Sequence, residues 1–160
     1  MVRLPPPWLR GFRSLRESFA GRLAAVYVQP MIIGGVKVRI SVLQEEVFGP
    51  LVLFGPGARS ADALAGRAAR FAPLTGTDAD DLIRSAPAAP LLLARPGAPA
   101  ADLAALKDTL LRVSRMADDL PQLAELELPA AARPDGIQAV DARARIQAAE
   151  PTDAYLRQLP

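Results

Sequence analysis

The sequence contains no cysteine and no histidine. Without cysteine the chain can form no disulfide and offers no thiolate to a metal. Without histidine it lacks the most frequent general base and zinc ligand of proteins, and no phosphohistidine can form on it. Any chemistry of this chain therefore takes place without imidazole.

Large side chains are scarce as well. Aromatic residues make up 5% of the 160 residues, while alanine contributes much of the 51% hydrophobic fraction. Because the free energy of burial grows with the apolar area removed from water, a core poor in large side chains predicts modest stability. The length is that of one ordinary domain and does not require two.

Neither positive nor negative charge is concentrated in one part of the sequence. The chain has 19 basic and 17 acidic residues and a net charge of +2, which does not indicate a nucleic-acid partner. Residues 1–22 contain no apolar run long enough for a signal peptide or a membrane span. We therefore expect a cytoplasmic protein with neither a membrane nor a nucleic acid as its partner.

Apolar periodicity predicts an α+β domain, in which a mixed or antiparallel sheet packs against two or three helices. Prolines at positions 5–7 predict a stiff, non-helical start before a short amphipathic helix that ends near Gly21. Thr77 is expected to cap a second helix, and the longest helix, over residues 103–116, is stopped by Pro121. Strands are predicted over residues 25–30, 36–43, 51–54, 123–128 and 137–142. Residues 87–99 are expected to form a loop with a possible strand fragment.

Several short blocks occur in a characteristic order and spacing. They are Val28-Gln29-Pro30-Met31 with Gly34-Gly35-Val36, then Val47-Phe48-Gly49-Pro50-Leu51-Val52, then Ala72-Pro73-Leu74-Thr75, then Glu125-Leu126-Glu127 and Ala139-Val140-Asp141-Ala142-Arg143. Together they resemble the ATP-grasp module of NDP-forming acetyl-CoA and acyl-CoA synthetases and of the related protein lysine acetyltransferases. The joint order of the blocks carries this resemblance.

The resemblance implies a domain organisation. Residues 12–148 look like the C-terminal subdomain of an ATP-grasp fold, with residues 1–11 as a proline-rich lead-in and residues 149–160 as a loosely held tail. The first subdomain, with its phosphate-binding lysine, is expected to be missing from this polypeptide. The resemblance also implies a strand pair over residues 58–74, although their composition favours a helix.

ATP or ADP with Mg²⁺ is the cofactor that the resemblance implies. Gln29 and Met31 match the segment that meets the adenine, or else they simply end a buried strand. Arg70 matches a position able to contact a phosphate, or else it lies on the surface as an ordinary arginine.

Carboxylates carry the implied metal site, because Mg²⁺ prefers oxygen ligands. Glu125, Glu127 and Asp141 are the candidate ligands. Pro129 stands where the family has an amide ligand, and proline has neither a side-chain oxygen nor an N–H. Lys37 stands where the family has a carboxylate, and its positive charge would repel the metal.

The glycine-rich turn that the family uses near phosphate is altered too. The family pattern Gly-Leu-Gly-Gly reads Gly55-Pro56-Gly57-Ala58 here. Asp62, Ala65 and Gly66 then take the places of a following Glu, Lys and Asp. Proline and alanine restrict the close approach of backbone amides to an anion. The resemblance therefore predicts a weakened or lost nucleotide site with no catalytic residue of its own.

Two functions follow from these losses. The first is a non-catalytic module that interacts with or regulates an acyl-CoA synthetase chain, an acetyltransferase chain or a second copy of itself. The alternative is a subunit of a split enzyme, an acid–thiol ligase of the NDP-forming acyl-CoA synthetase type, to which this chain contributes half of an ATP and magnesium site. A truncated remnant without a selected role is a third interpretation.

Overall fold

The computed structural model describes residues 7–19, 22, 25–26, 29–45, 47–57, 66–94, 96–97 and 99–148. The chain divides into two compact units, Met1–Ile32 and Ile33–Pro160. Within the described parts of the chain, no helix has the length and apolarity needed to span a lipid bilayer.

Among the described residues of the first unit, Pro7–Ser18 form a helix, α1. It begins earlier than predicted, so Pro7 is helical and not part of an extended lead-in. Proline is compatible with the first helical position, because the N–H that it lacks would have no partner there. The helix ends before the predicted stop at Gly21, which lies outside the described residues, as do residues 1–6.

A strand predicted over residues 25–30 is not formed by the residues of that segment which the structure describes. Residues 25, 26, 29 and 30 have no regular secondary structure, and residues 27 and 28 lie outside the described set. A short apolar run becomes a strand only where a neighbouring strand completes its hydrogen bonds. The side-chain pattern alone does not show whether such a neighbouring strand exists.

The second unit is built on an antiparallel sheet. Its strands are β1 (Val36–Glu45), β2 (Gly49–Pro56), β3 (Ala68–Phe71), β4 (Leu123–Arg133), β5 (Gly136–Ala139) and β6 (Arg143–Ile146). The order across the sheet is β3-β2-β1-β4-β5, and β6 pairs with β4 beside β5. The predicted α+β class is confirmed, and every strand pair among the described residues is antiparallel.

Several predicted boundaries of the second unit need correction. The second strand of the pair predicted over residues 58–74 exists as β3, and residues 58–65 lie outside the described set. β4 is longer than predicted, because antiparallel pairing with β1 carries it through Pro129 to Ala132 and pairing with β5 extends it to Arg133. β5 ends at Ala139, short of the predicted residue 142, and β6 was not predicted because its four side chains are all exposed.

The part of the second unit that the structure describes also contains the helices α2 (Gly76–Ser85), α3 (Ala89–Leu92) and α4 (Leu103–Asp119). The cap of α2 is Thr75 and not Thr77. The Thr75 hydroxyl accepts the N–H of Asp78, and the Asp78 carboxylate accepts the N–H of Thr75 at 2.9 Å. This capping box satisfies two donors at once, which Thr77 cannot do from inside the first turn.

The remaining helices differ in how well the sequence predicted them. α4 confirms the predicted long helix, capped by the Asp102 carboxylate and ending just before Leu120. α3 replaces a predicted loop, because Pro90 at the start of a single helical turn needs no N–H partner.

The core lies between α2 and α4 and one face of the sheet. β1 contributes Val38, Ile40 and Val42, β2 contributes Val52 and Phe54, and α4 contributes its own apolar stripe. That stripe consists of Leu106, Leu110, Val113 and Ala117. Helices therefore cover one face of the sheet and leave the opposite face to polar side chains.

Replacing Ser114 with alanine is expected to lower the free energy of unfolding by about 1–2 kcal/mol. The Ser114 side chain is fully buried, and its hydroxyl accepts the backbone N–H of Leu74 at 2.7 Å. Without the hydroxyl that N–H remains buried and unpaired. Urea denaturation measures the change. The exposed Ser85→Ala is the matched control and should change stability by no more than about 0.5 kcal/mol; equal effects would contradict the prediction.

Candidate functional site

The sheet face opposite the helices carries polar side chains. β1 and β4 pair with Ser41 opposite Glu127 and Leu43 opposite Glu125. Residues directly opposite one another in an antiparallel pair project to the same side, and so do alternate residues of one strand. Arg39, Ser41, Glu125 and Glu127 therefore share this side of the sheet, which we call the polar face.

Arg39 forms the central ion pair of the polar face. Its Nη1 donates to Oε1 of Glu127 at 3.1 Å, and its Nη2 donates to the carbonyl oxygen of Gly57 at 3.5 Å. The Arg39 side chain is only 7% exposed, whereas that of Glu127 is 41% exposed. Since a buried guanidinium needs a counter-charge, Glu127 is held by Arg39.

Glu125 is paired with an arginine as well. Arg145 on β6 donates from Nη2 to Oε1 of Glu125 at 2.8 Å. This hydrogen bond keeps the pKa of the Glu125 carboxyl below its ordinary value; burial partly opposes the effect, and the positive charge of Arg145 adds to it. Both side chains are about half exposed, so the pair contributes little to stability.

Replacing Arg145 with methionine is expected to raise the pKa of Glu125 towards the ordinary glutamate value. A folded-state pKa below the unfolded one contributes stability at pH values above the unfolded pKa, and this stability is lost as pH falls through the folded pKa. The variant should therefore show a weaker loss of stability in this acidic range. Carbon NMR titration of the side-chain carboxyl measures the pKa. Arg143→Met is the control and should leave Glu125 unchanged; an unchanged Glu125 in Arg145→Met would contradict the assignment.

Asp141, the third candidate metal ligand, lies between β5 and β6. Its Oδ2 is 3.3 Å from Nε of Arg143, and its Oδ1 accepts the N–H of Ala142 at 2.9 Å. Both charged side chains are more than half exposed. All three candidate ligands, Glu125, Glu127 and Asp141, are thus paired with arginine.

Pro129 lies directly opposite Arg39 in the β1–β4 pair. It stands between the part of β4 that pairs with β6 and the part that pairs with β5. Its carbonyl oxygen accepts the N–H of Val140 at 2.9 Å. Because proline cannot donate a backbone hydrogen bond, the gap between two partner strands is a place where β4 tolerates it.

The glycines that follow Phe54 are packed against other backbone. A Cβ on Gly55 would lie 2.7 Å from the carbonyl oxygen of Gly66, and one on Gly57 would lie 2.9 Å from Cβ of Lys37. The Gly57 N–H donates to the Lys37 carbonyl oxygen at 2.9 Å. The space that these glycines leave open is already filled by the protein itself.

An open depression of about 150 Å³ lies on the polar face, bordered by Ser41, Arg67, Glu125 and Glu127. Nη1 of Arg67 donates to the Ser41 hydroxyl at 3.2 Å. Pockets that enclose a ligand of nucleotide size have volumes of about 300–1,000 Å³. The depression alone is therefore too small to enclose a nucleotide.

Arg70 projects away from the polar face. It lies opposite Val52 in the β2–β3 pair, and Val52 is a core residue on the helix-covered side. Its Nη1 donates to the carbonyl oxygen of Ala69 at 2.9 Å. The structure does not bring Arg70 together with Glu125 and Glu127, and its contact with phosphate stays a prediction.

Gln29 and Met31 belong to the first unit. Both are exposed, Met31 to 85%, and neither lies in a helix or strand. Their contact with adenine stays a prediction.

Comparison with known proteins identifies the family. A family model described as "ATP-grasp domain" matches residues 12–146, which is most of the chain. This chain belongs to the ATP-grasp family. The resemblance seen in the sequence is therefore confirmed.

Similar proteins of established name are ADP-forming ligases. The chain is 34% identical over 122 residues to "Acetate–CoA ligase (ADP-forming) I subunit beta" of Pyrococcus furiosus, covering 76% of this chain and 53% of that subunit. It is 33% identical over 123 residues to "Acetate–CoA ligase (ADP-forming) I" of Archaeoglobus fulgidus, covering 76% of this chain and 18% of that protein. The ATP-grasp chain thus spans about half the length of the Pyrococcus subunit.

Solved structures give the same assignment. The apo form of the dinucleotide-forming acetyl-coenzyme A synthetase 1 from Ca. Korarchaeum cryptofilum superposes with a TM-score of 0.80 and 31% identity, covering 91% of this chain and 69% of that one. The same synthetase in complex with coenzyme A, Ca-AMPCP and HgCl⁺ gives a TM-score of 0.74 and 30% identity, covering 86% and 63% of the two chains. The ATP-grasp fold of this chain is therefore shown by structure as well as by sequence.

The residues of the polar face do not fit a magnesium ion. Glu125 and Glu127 each pair with an arginine, and Pro129 offers no side-chain oxygen. Across the described ranges, no group of three or more acidic, histidine or cysteine side chains is placed to hold a metal. Mg²⁺ requires near-octahedral oxygen coordination, and the guanidinium of Arg39 adds positive charge beside the carboxylate of Glu127.

Arg39 and Arg145 are residues of this site that the sequence pattern did not predict. In β1, Arg39 alternates with the apolar residues Val38, Ile40 and Val42, and such alternation predicts an exposed side chain. The structure buries it to 6% exposure. The sequence does contain one indication of its role. Arg39 lies two residues after Lys37 on the same face of the strand, and Lys37 stands where the family has a carboxylate.

Proposed function

We propose that this ATP-grasp chain is non-catalytic on its own and acts as an interaction or regulatory module for an acyl-CoA synthetase or acetyltransferase chain. The observation that carries the proposal is the pairing of Arg39 with Glu127. A buried guanidinium held against the central carboxylate of the polar face supplies the positive charge that a magnesium ion would supply in an active site.

Electrostatics supports this interpretation. A divalent cation at Glu127 would have to share the carboxylate with Arg39, and full displacement of Arg39 would leave its buried side chain without a counter-charge. Leaving a buried charge unpaired costs several kcal/mol. The Arg39–Glu127 pair therefore competes with magnesium for the same carboxylate.

Phosphate binding is opposed by packing at the glycine-rich turn. The backbone of Gly66 fills the space beside Gly55, and Lys37 fills the space beside Gly57. The Gly57 N–H is already donated to the Lys37 carbonyl oxygen, so a phosphate could receive it only by breaking that hydrogen bond, which supports weak or absent nucleotide binding.

Isothermal titration calorimetry with Mg-ATP tests the proposal. We expect no heat of binding at millimolar nucleotide. The Korarchaeum synthetase, which has been crystallised with the nucleotide analogue Ca-AMPCP, is the positive control. A saturable signal from this chain would refute the proposal.

The split-enzyme alternative has one observation in its favour. Two relatives from Pyrococcus furiosus are named as beta subunits of ADP-forming acetate–CoA ligases, so chains of this family can work as parts of a larger enzyme. In that case Asp141→Ala should abolish acyl-CoA-dependent ATP synthesis in the reconstituted complex. Asp135→Ala, which removes an exposed aspartate paired with Arg133, is the matched control.

A further inference from the structure

β6 is held to the sheet by little more than its backbone. It spans only Arg143–Ile146 and pairs with β4 and, within the described part of the chain, with no other strand. None of its described residues belongs to the hydrophobic core or packs against it. Its pairing with β4 is also interrupted by a register shift between Leu123 and Glu125. A strand without apolar packing is marginally stable in water, so β6 depends on its hydrogen bonds to β4.

β5 provides a direct contrast, because it has the same length and the same partner strand. It spans Gly136–Ala139 and pairs with β4. Its Ile137 packs against the core. The tight turn that joins it to β4 is braced by Arg133, whose Nε and Nη2 donate to the two carboxylate oxygens of Asp135 at 2.9 Å each. β5 is therefore tied to the fold by contacts that β6 lacks.

Pro129 marks the boundary between the two strands that pair with this side of β4. Its carbonyl oxygen accepts the N–H of Val140 at 2.9 Å, and proline has no N–H to donate in return. β5 pairs with residues 130–133 of β4, whereas β6 pairs with residues 123–127. Because the two sets of hydrogen bonds are separated by a residue that cannot donate, β6 can leave β4 while β5 remains paired.

The two carboxylates of β4 take their arginines from strands that are held very differently. Glu125 is paired with Arg145 of β6, whereas Glu127 is paired with Arg39 of β1. β1 is hydrogen-bonded to β2 on one side and to β4 on the other, and it contributes to the core. Free energies of local opening range from near zero for weakly held segments to the global value for core strands. Separation of β6 would therefore release Glu125 and leave Glu127 paired.

We propose that β6 is a conformational device, which separates from β4 while the rest of the second unit stays folded and thereby converts Glu125 from a paired to a free carboxylate. In the same step the edge of β4 between Leu123 and Glu127 loses its hydrogen-bonding partner. An unpaired strand edge is a template for another strand, so the edge of the sheet and the charge of the polar face change together. This proposal concerns the second unit alone and stands independently of nucleotide binding.

Amide hydrogen exchange of the full chain, measured by NMR without urea and at low urea concentrations, tests for separate opening. The N–H of Gln147 donates to the carbonyl oxygen of Gln122 at 2.9 Å and reports on β6, and the N–H of Val140 reports on the boundary. The N–H of Ile40 reports on β1.

We expect Gln147 to be the least protected of the three amides and its exchange to be insensitive to urea, because opening of β6 exposes little surface. Exchange at Ile40 should accelerate with urea, since it requires unfolding of the whole unit. Val140 should be better protected than Gln147. Equal protection and an equal urea dependence at all three positions would overturn the proposal.

Charge variants test the link between β6 and Glu125. Arg145→Met and Glu125→Gln should each speed exchange at Gln147 by about two- to fivefold, the range expected for an exposed ion pair. The double variant should have no larger effect than either single one, because both remove the same contact. Glu127→Gln is the matched control on the same strand and face and should leave Gln147 unchanged. The same acceleration in Glu127→Gln as in Glu125→Gln, or none in Arg145→Met, would refute the release of Glu125 by β6.

Discussion

Phe54→Ala is expected to lower the free energy of unfolding by about 3–5 kcal/mol. Phe54 lies on β2, is fully buried and belongs to the core between the sheet and α4. Its loss removes one of the few large side chains in a core composed mostly of valine, leucine and alanine. The surrounding small residues cannot collapse far enough to fill the cavity, so the cost should lie near the upper end of the usual range.

Phe48→Ala is the matched control for this substitution. Phe48 is 55% exposed and contacts the exposed ring of Phe71, with the ring centroids 5.5 Å apart. Its loss should lower the free energy of unfolding by no more than about 1 kcal/mol. Guanidinium denaturation of both variants measures the difference, and equal effects at the two positions would show that the core is not where the structure places it.

Glu127→Leu is expected to lower the free energy of unfolding by about 2–3 kcal/mol, because it leaves the buried Arg39 guanidinium without its counter-charge. Nε of Arg39 already lacks a hydrogen-bond partner among the described residues. Removing both charges, in Arg39→Met with Glu127→Leu, should recover most of the loss. A positive coupling energy in this double-mutant cycle is the expected signature of the pair.

Glu125→Leu provides the comparison on the same strand and the same face. Its partner Arg145 has a side chain that is 56% exposed, and exposed ion pairs contribute at most about 1 kcal/mol. Its effect should therefore be clearly smaller than that of Glu127→Leu. If the two substitutions cost the same, or if the Arg39 double variant is as unstable as the single one, the central role given to the Arg39–Glu127 pair is wrong.

The core elements could be predicted because their patterns are strong. β1 alternates in its apolar residues, β2 is a short apolar run between glycine and proline, and α4 repeats leucine at helical spacing. The cap of α2 is also recognisable in the sequence, since Thr75 and Asp78 have capping-box spacing, and the prediction of Thr77 is wrong. β6 has four exposed residues and no apolar pattern, so only its pairing with β4 defines it.

The candidate site was predictable in part. The resemblance placed Glu125 and Glu127 together, and the structure puts them on one face of β4. Their arginine partners come from other strands, Arg39 from β1 and Arg145 from β6, and the cross-strand register that joins them is not visible in sequence. Arg70 illustrates the same limit, because a shift of one residue along a strand decides which face a side chain occupies.

Manganese titration followed by amide NMR tests most directly whether Arg39 excludes a divalent cation from Glu127. A bound paramagnetic ion broadens nearby amide signals selectively. We predict no selective broadening at Ser41, Gly57 and Glu127 in the original chain, with or without ATP. Selective and saturable broadening of these three signals would contradict the account.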